Sequence, residues 1–373
     1  MMQLMYTHSH QGVARVSGVP IHTKTTHPWV VSSPMTRQIC ALDFHRNAKC
    51  ATQVVLAGRS DVVLASGDAS VDNKTVAVAG ATGLIGTRLV EMLVDQGYTV
   101  RVLTRNPASA KSKLSKVQGL QFAAPTQWKA AVRGTRAVIN LAGEPIATRW
   151  NSELKQEIKR SRVSTTRRIV DAINALEEDE RPEVLVNASA VGFYGTSETA
   201  TFNESSASGN DYLAEVCREW EDTAMKAMCR VVVLRTGIVL AKEGGALAKM
   251  VPVFSMFAGG PLGSGKQWFS WIHRDDVAGM IIQGIEDASW EGAFNATAPK
   301  PVRMGELCSA LGEVMGRPSF VPVPDFALKT LLGEGAQVVL EGQRVLPNKA
   351  QANGYSFRYT DVSDALKNII SQN

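Results

Sequence analysis

The stretch Thr75-Val-Ala-Val-Ala79 followed by Gly80-Ala-Thr-Gly83-Leu-Ile-Gly86 constrains this chain more than any other. Five residues, nearly all apolar and partly β-branched, predict a strand buried on both faces. Three glycines spaced G-x-x-G-x-x-G then predict a tight turn into a helix. Gly80 permits the turn, Gly83 lets backbone approach a pyrophosphate, and Gly86 lets helix and strand pack closely. Thr82, Leu84 and Ile85 lie within the same turn, whose helix N-terminus offers N–H groups to phosphate. Glycine spacing alone is weak evidence, but a strand before it and a helix after it supply the context that dinucleotide binding requires.

The rest of the chain agrees with that start. Leu84, Ile85, Leu89, Leu93 and Val94 give a helix from 84 to about 96, stopped at Gly97. Strands are predicted at 99–104, weakly at 120–123, and at 137–142, 184–189 and 230–234. Helices are predicted at 151–176 and 212–228. Strands alternating with helices imply a parallel sheet with right-handed crossovers, an α/β doubly wound Rossmann fold. Beyond Pro299 the texture changes, with helices expected at 304–315 and 361–370 among scattered prolines. Three segments follow: a leader (1–73), an NADP-binding Rossmann domain (74–298) and a smaller C-terminal lobe on the substrate side (299–373).

Composition limits the chemistry. The net charge of +5 is spread thinly, with no basic block or aromatic-interleaved patch, which argues against a nucleic-acid partner. No run of about 18 apolar residues occurs, so no transmembrane segment is expected. Five of the six histidines lie in the first 45 residues, leaving only His273 in the body of the chain. A histidine-built metal site is excluded there, and no metal is expected. The five cysteines form no C-x-x-C pair, as in reduced, mostly buried thiols.

The first 73 residues stand apart. No acidic residue precedes Asp43, and Ser, Thr, His and scattered Arg and Lys dominate without an apolar signal core. This composition predicts a transit peptide, with a disordered tail as the plain alternative. The lack of an Arg-rich amphipathic helix points to the chloroplast, with the mitochondrion as the alternative.

The end of the second strand sets the cofactor. NAD-binding folds usually place Asp or Glu there; this chain has Thr104 and Arg105. Arg105 is suited to a 2′-phosphate, which favours NADP(H) over NAD(H). Leu141, Ala142 and Gly143 end the central strand, where backbone should pass the nicotinamide ribose. Arg162 on the long helix, with Glu157 one and a half turns earlier, is a further cofactor candidate.

These residues resemble one group. Asn140-Leu-Ala-Gly-Glu-Pro145, Arg149-Trp150, Ser161-Arg162, Ser189-Ala-Val-Gly-Phe-Tyr-Gly195, Arg235-Thr-Gly-Ile-Val-Leu240, Ser270-Trp-Ile-His273 and Glu341-Gly-Gln-Arg-Val-Leu-Pro347 match the atypical extended short-chain dehydrogenases of the epimerase family. Its bacterial members are called YfcH-like, and it has mitochondrial and plastid relatives of the 39U type. The resemblance covers Thr75 to Ile370. It implies NADP(H) binding, an epimerase-type fold and Val239 among the cofactor residues. Plant relatives, some called SulA-like, suggest a plastid-division partner.

Working members of the wider superfamily use Ser or Thr, then Tyr-x-x-x-Lys, to move a proton while hydride moves. None of the six tyrosines here has lysine four residues later. Alignment on Tyr194-Gly195 and Glu221 leaves Ala190, Leu213 and Cys217 at the Ser, Tyr and Lys positions. Tyr194 and Ser189, just past a strand's carboxyl end, are the substitute catalytic candidates. Glu144 and the run Lys266–Asp276 supply further polar groups, with His273 and Asp276 expected to join the lobes. Two readings follow: an oxidoreductase or epimerase acting on a small-molecule substrate through unusual acid–base groups, or a non-catalytic NADP(H)-binding regulator or scaffold. No motif specifies a substrate or an oligomeric state.

Overall fold

A computed structural model describes residues 72–371. The expected leader lies outside them except at Asp72 and Asn73, which already belong to the first strand. Seven parallel strands form the central sheet: β1 (Asp72–Ala79), β2 (Thr99–Leu103), β3 (Gln121–Ala123), β4 (Thr135–Asn140), β5 (Val184–Ala190), β6 (Arg230–Thr236) and β7 (Gly292–Ala296). Their spatial order is β3-β2-β1-β4-β5-β6-β7. The order reverses between β1 and β4, so the chain leaves these neighbouring strands in opposite directions and opens a crevice at their carboxyl ends. The fold is the expected α/β Rossmann type.

Alternation along the strands explains the layers. In β1, Val76 and Val78 face one core while Ala77 and Ala79 face the other. The first core takes in Leu89 and Leu93 of α1 (Leu84–Asp95), together with Val277 and Ile281 of the seventh helix. The second is closed by Trp128 of α3 (Trp128–Val132), Ile169 and Ile173 of α4 (Ser152–Asn174), and Ala224 of α5 (Tyr212–Ala224). A short α2 (Pro107–Lys113) follows β2, capped by Asn106, whose Oδ1 accepts from Ser109 N at 3.0 Å.

Most predicted boundaries lie close to the observed ones, and the shifts have local causes. β4 ends at Asn140 because that side chain turns back: Oδ1 accepts from Ala142 N at 3.2 Å. α5 ends at Ala224, before the predicted 228. There the Asn174 amide takes over, accepting from Met228 N at 2.8 Å and donating to Lys226 O at 2.9 Å. Between β6 and β7 the chain adds α6 (Gly245–Ser255), short strands 238–240, 268–269 and 271–273, and α7 (Arg274–Glu286). After β7 come α8 (Met304–Met315), α9 (Asp325–Leu332) and a closing helix Val362–Ser371.

A third core joins Leu240, Phe254, Phe269 and Trp271 to Leu307, Leu311, Leu366 and Ile369. The C-terminal helices thus share their interior with the segment before β7. Asp276, fully buried on α7, accepts from Arg358 N at 2.7 Å and Tyr359 N at 3.1 Å. The His273 ring caps α7 and lies 4.1 Å from that of Tyr359. No helix of the described residues is long and apolar enough to cross a membrane.

Candidate functional site

Two glycines of the turn after β1 have no room for a side chain. A Cβ on Gly80, whose φ is +80°, would sit 2.6 Å from the Leu141 carbonyl carbon. On Gly86 it would sit 2.2 Å from Gly80 O. Gly83 is looser, with its nearest neighbour at 3.3 Å. Gly83 caps α1 without any side-chain bond, and no acidic residue occupies the first turn. Within α1 itself, no side chain caps the first N–H groups and no carboxylate offsets the positive end of the helix dipole. Such a cradle of small residues and helix N–H groups fits a pyrophosphate.

Leu141 N donates to Ala79 O at 2.9 Å, which holds the loop after β4 against this turn. Leu84 and Ile85 are half-buried, and Thr82 stands beside exposed Gly83. Leu84 meets a second backbone: a Cβ on Gly244 would lie 2.9 Å from its Cδ1. One on Gly245 would lie 3.1 Å from Val239 O. Val239 is thereby brought to the N-terminus of α1, a proximity that no local sequence signal predicts.

Thr104 and Arg105 leave the carboxyl end of β2. Thr104 N donates to Ala123 O at 3.0 Å, and its Oγ1 accepts from Asn106 N at 3.2 Å, which fixes the turn. The Arg105 side chain is 77% exposed and pairs at 3.6 Å with Glu144, from the loop after β4. An exposed pair at this distance contributes little to stability and leaves the guanidinium available.

Gly143 is covered by Arg162, whose Cζ would lie 3.2 Å from an added Cβ. Arg162 donates to Ile158 O at 3.0 Å and to Glu144 O at 2.9 Å. Burial holds this guanidinium below its ordinary pKa, and no carboxylate among the described residues lies within ion-pair range of it. Glu157 does not meet Arg162; it pairs with Arg160 on the same helix. Beneath the loop, the Asn140 amide donates to Thr166 Oγ1 at 2.8 Å and Asn187 Oδ1 at 2.7 Å, locking β4 to α4 and β5.

The two catalytic candidates belong to one buried network. Ser189 donates to Glu221 Oε1 at 2.6 Å. Arg235 holds Glu221 in a two-pronged pair, Nε–Oε1 at 3.0 Å and Nη2–Oε2 at 2.8 Å. Its Nη1 reaches the Tyr194 hydroxyl at 3.0 Å, and that hydroxyl donates to Asn295 Oδ1 at 2.7 Å. Burial raises the Tyr194 pKa, opposed by Arg235. Sequence reasoning missed Arg235 and Asn295; charged or amide residues inside apolar strands β6 and β7 were the available signal.

At the aligned Ser, Tyr and Lys positions, Cys217 Sγ lies 3.8 Å from Ala190 O, and Leu213 packs on Gly192. Burial pushes the Cys217 thiol up to about 11, so it carries no charge at neutral pH. Tyr212, one residue before Leu213, donates to Lys155 O and meets Trp150 edge-on at 5.6 Å.

Comparison with known proteins agrees with this geometry. The model of the NAD dependent epimerase/dehydratase family matches residues 76–296, and a domain of unknown function (DUF1731) matches residues 323–369. The chain is 56% identical over 300 residues to the epimerase family protein SDR39U1 homolog, chloroplastic, of Arabidopsis thaliana, covering 79% of this chain and 86% of that one. It is 40% identical over 302 residues to the epimerase family protein YfhF of Bacillus subtilis, covering 79% and 98%. Human epimerase family protein SDR39U1, crystallised with NADPH, superposes with a TM-score of 0.73 at 32% identity, covering 80% of this chain and all of that one. On the match of residues 76–296 and on these identities, the chain belongs to the NAD dependent epimerase/dehydratase family.

Proposed function

We propose that this protein binds NADP(H) and acts in the plastid as an oxidoreductase or epimerase-like enzyme. Its acid–base groups would be other than Ser, Tyr and Lys in their usual places. The observation that carries the cofactor reading is the pairing of the glycine turn, in which Gly80 and Gly86 leave no room for a Cβ, with Arg105 at the end of β2. In this reading the N–H groups of Gly83, Leu84 and Ile85 take the pyrophosphate, with Thr82 beside them. Thr104 and Arg105 take the 2′-phosphate, and Leu141, Ala142, Gly143 and Val239 line the ribose and nicotinamide. Glu157 and Arg162 border the site from α4. When bound, the cofactor supplies hydride; Tyr194 is the first choice as proton source and Ser189 the second. NADPH bound to the human relative and the chloroplastic relative in Arabidopsis support the cofactor and the compartment.

One observation favours a second reading, an NADP(H)-binding regulator or scaffold with a plastid-division partner. The Ser189 and Tyr194 hydroxyls are buried and already bonded within the Glu221–Arg235–Asn295 network.

Titration of Arg105→Ala with both cofactors tests the first claim. NADPH should weaken by roughly 1–3 kcal/mol while NADH barely changes, as for loss of one charge-assisted bond. Equal weakening of both would remove Arg105 from the 2′-phosphate. Tight NADPH binding without turnover on carbonyl and nucleotide-sugar panels would favour the regulator. A reporter fused to residues 1–73 should enter plastids; retention in the cytosol would sink the targeting claim.

A further inference from the structure

One stretch of the C-terminal segment is held to the body by very little. From Asp325 to Glu341 only Gly335 and Ala336 are buried. The two helices within it, α9 and the single turn Gln337–Leu340, bury no residue at all. Helices this short do not persist in water on their own. The stretch is tethered at its ends. Val323 N donates to Pro261 O at 2.9 Å, Gln267 Nε2 to Val339 O at 3.0 Å, and Thr196 Oγ1 to Glu341 Oε2 at 2.9 Å. Between these tethers it rests on the loop from Leu141 to Asn151, which joins β4 to α4, and on the first turn of α4.

There the fit is close. Trp150 N donates to Leu332 O at 3.4 Å, and Arg149 Nη1 to Thr330 O at 3.5 Å. Glu334 pairs with Lys155 of α4. A Cβ on Gly335 would meet Thr148 O at 2.2 Å and Trp150 Cδ1 at 2.9 Å, so a residue with a side chain cannot lie down on the loop at this point. The buried Trp150 indole donates in turn to Ile146 O at 2.7 Å, which ties the outer half of the loop to its inner half. The inner half faces the crevice. The Leu141 carbonyl closes over Gly80 of the phosphate turn, and Glu144 meets Arg105 at 3.6 Å. One loop thus touches the nucleotide elements with one half and the weakly held stretch with the other. Lifting a stretch that buries two small residues costs little, so its docking is a local equilibrium that a ligand can shift.

We propose that residues 325–341 are a strap whose docking on this loop is coupled to NADP(H) binding. The docked strap holds Leu141–Glu144 in place for the cofactor, and the cofactor holds the strap down. This rests on the NADP(H) reading above. Thr148, Trp150 and Gly335 are positioning residues: they act on the cofactor through the loop and not by contact. Coupling between two binding events is reciprocal, so one factor governs both directions.

The test uses the full chain and limited trypsin digestion, with cleavage after exposed Lys329 of α9 followed by mass spectrometry. Saturating NADPH should slow that cleavage by about fivefold or more, the lower end of ordinary coupling. Gly335→Val cannot seat the strap. It should weaken NADPH by the same factor and be cut after Lys329 at a rate that NADPH no longer changes. Glu334→Lys sets two cations against each other at Lys155 and keeps the glycine, so it reads the docking even where Gly335→Val fails to fold. It should weaken NADPH in the same direction, and Lys155→Glu added to it should recover part of the loss. Equal cleavage of the parent with and without NADPH, or parent-like NADPH affinity in Gly335→Val or Glu334→Lys, would overturn the coupling. Loss without recovery in the reversed pair would overturn it too, since charge near the crevice and not docking would then be read. A parent that binds no NADPH sinks the cofactor reading and the coupling together. A parent that binds it and fails these measurements sinks the coupling alone.

Discussion

Arg235 donates to the hydroxyl of Tyr194 at 3.0 Å, and the same guanidinium clamps Glu221. One cation therefore fixes the carboxyl ends of β5 and β6, α5 and the turn carrying Tyr194. Both partners of the ion pair are nearly removed from solvent, with side chains 8% and 11% exposed. Arg235→Ala would strand a buried carboxylate and should cost about 3–5 kcal/mol in urea unfolding. Arg235→Met combined with Glu221→Leu should cost less than the single change, because no lone charge remains. Equal losses would mean that the pair is not coupled.

Tyr194→Phe removes a hydroxyl that donates to Asn295 and accepts from Arg235. Stability should fall by about 1–3 kcal/mol, the penalty for leaving buried partners unsatisfied. NADPH affinity should hold, since the hydroxyl's partners Arg235 and Asn295 are not among the phosphate-turn and β2-end residues that carry the cofactor reading. In any assay where the parent turns over, undiminished turnover in this variant would remove Tyr194 as proton donor.

Two glycine substitutions should behave differently. Gly86→Ala drives a Cβ to 2.2 Å from Gly80 O, against backbone that cannot move without opening the turn. It should lose about 1–3 kcal/mol of stability and most NADPH affinity. Gly83→Ala, at 3.3 Å, should fold nearly as well as the parent and show its effect mainly in cofactor titration. Thermal melts and NADPH fluorescence read both.

Glu144 faces Arg105 at 3.6 Å, so on the NADP(H) proposal it would compete with the 2′-phosphate for the same guanidinium. Glu144→Gln should tighten NADPH by up to roughly fivefold, the scale of an exposed pair, and leave NADH unaffected. The gain should shrink at high salt. Weaker NADPH binding would place Glu144 among the cofactor's own contacts.

The joint between α7 and the C-terminal segment holds two groups with opposed titrations. Burial holds His273 down at about 4, and its Nδ1 must stay unprotonated to accept from Asp275 N at 3.1 Å. The unfolded ring takes up a proton near 6.5, so this contribution is lost as pH falls from about 6.5 to 4. Burial raises Asp276 to about 6, against two backbone N–H donors. Its contribution has the opposite sign and grows as pH falls through 6. His273→Gln removes the first and keeps the second. Relative to the parent, the variant should gain up to about 3 kcal/mol between pH 7 and pH 4. Paired melts across that range check the sign.

Through β6 the strand order and the long helices were legible because each strand is an apolar run and each long helix a periodic one, whereas β7, α6, α9 and the short α2 and α3 were not read from the sequence. Asn140 and Asn174 moved the ends of β4 and α5 by side-chain bonds to backbone that no periodicity encodes. α7 was missed although its N-terminus is signalled by His273 and paired aspartates. Its interior, Val277 to Ile285, is buried on most sides and so lacks a clean polar stripe.

The sequence by itself determined the nucleotide turn, since Gly80, Gly83 and Gly86 act within seven residues on geometry that only neighbouring backbone sets. It also determined the basic end of β2, since Arg105 follows directly from that strand. Only the tertiary structure decided the fate of Ser189 and Tyr194. Their partners Glu221, Arg235 and Asn295 lie 32, 41 and 101 residues away, Arg235 and Asn295 brought in by parallel strand pairing and Glu221 by the packing of α5. The same holds for Leu84 against Gly244 and for α9 beside Trp150. Hydrogen bonds and close contacts act over a few ångströms in space, whereas sequence patterns report only local conformation and which face is buried.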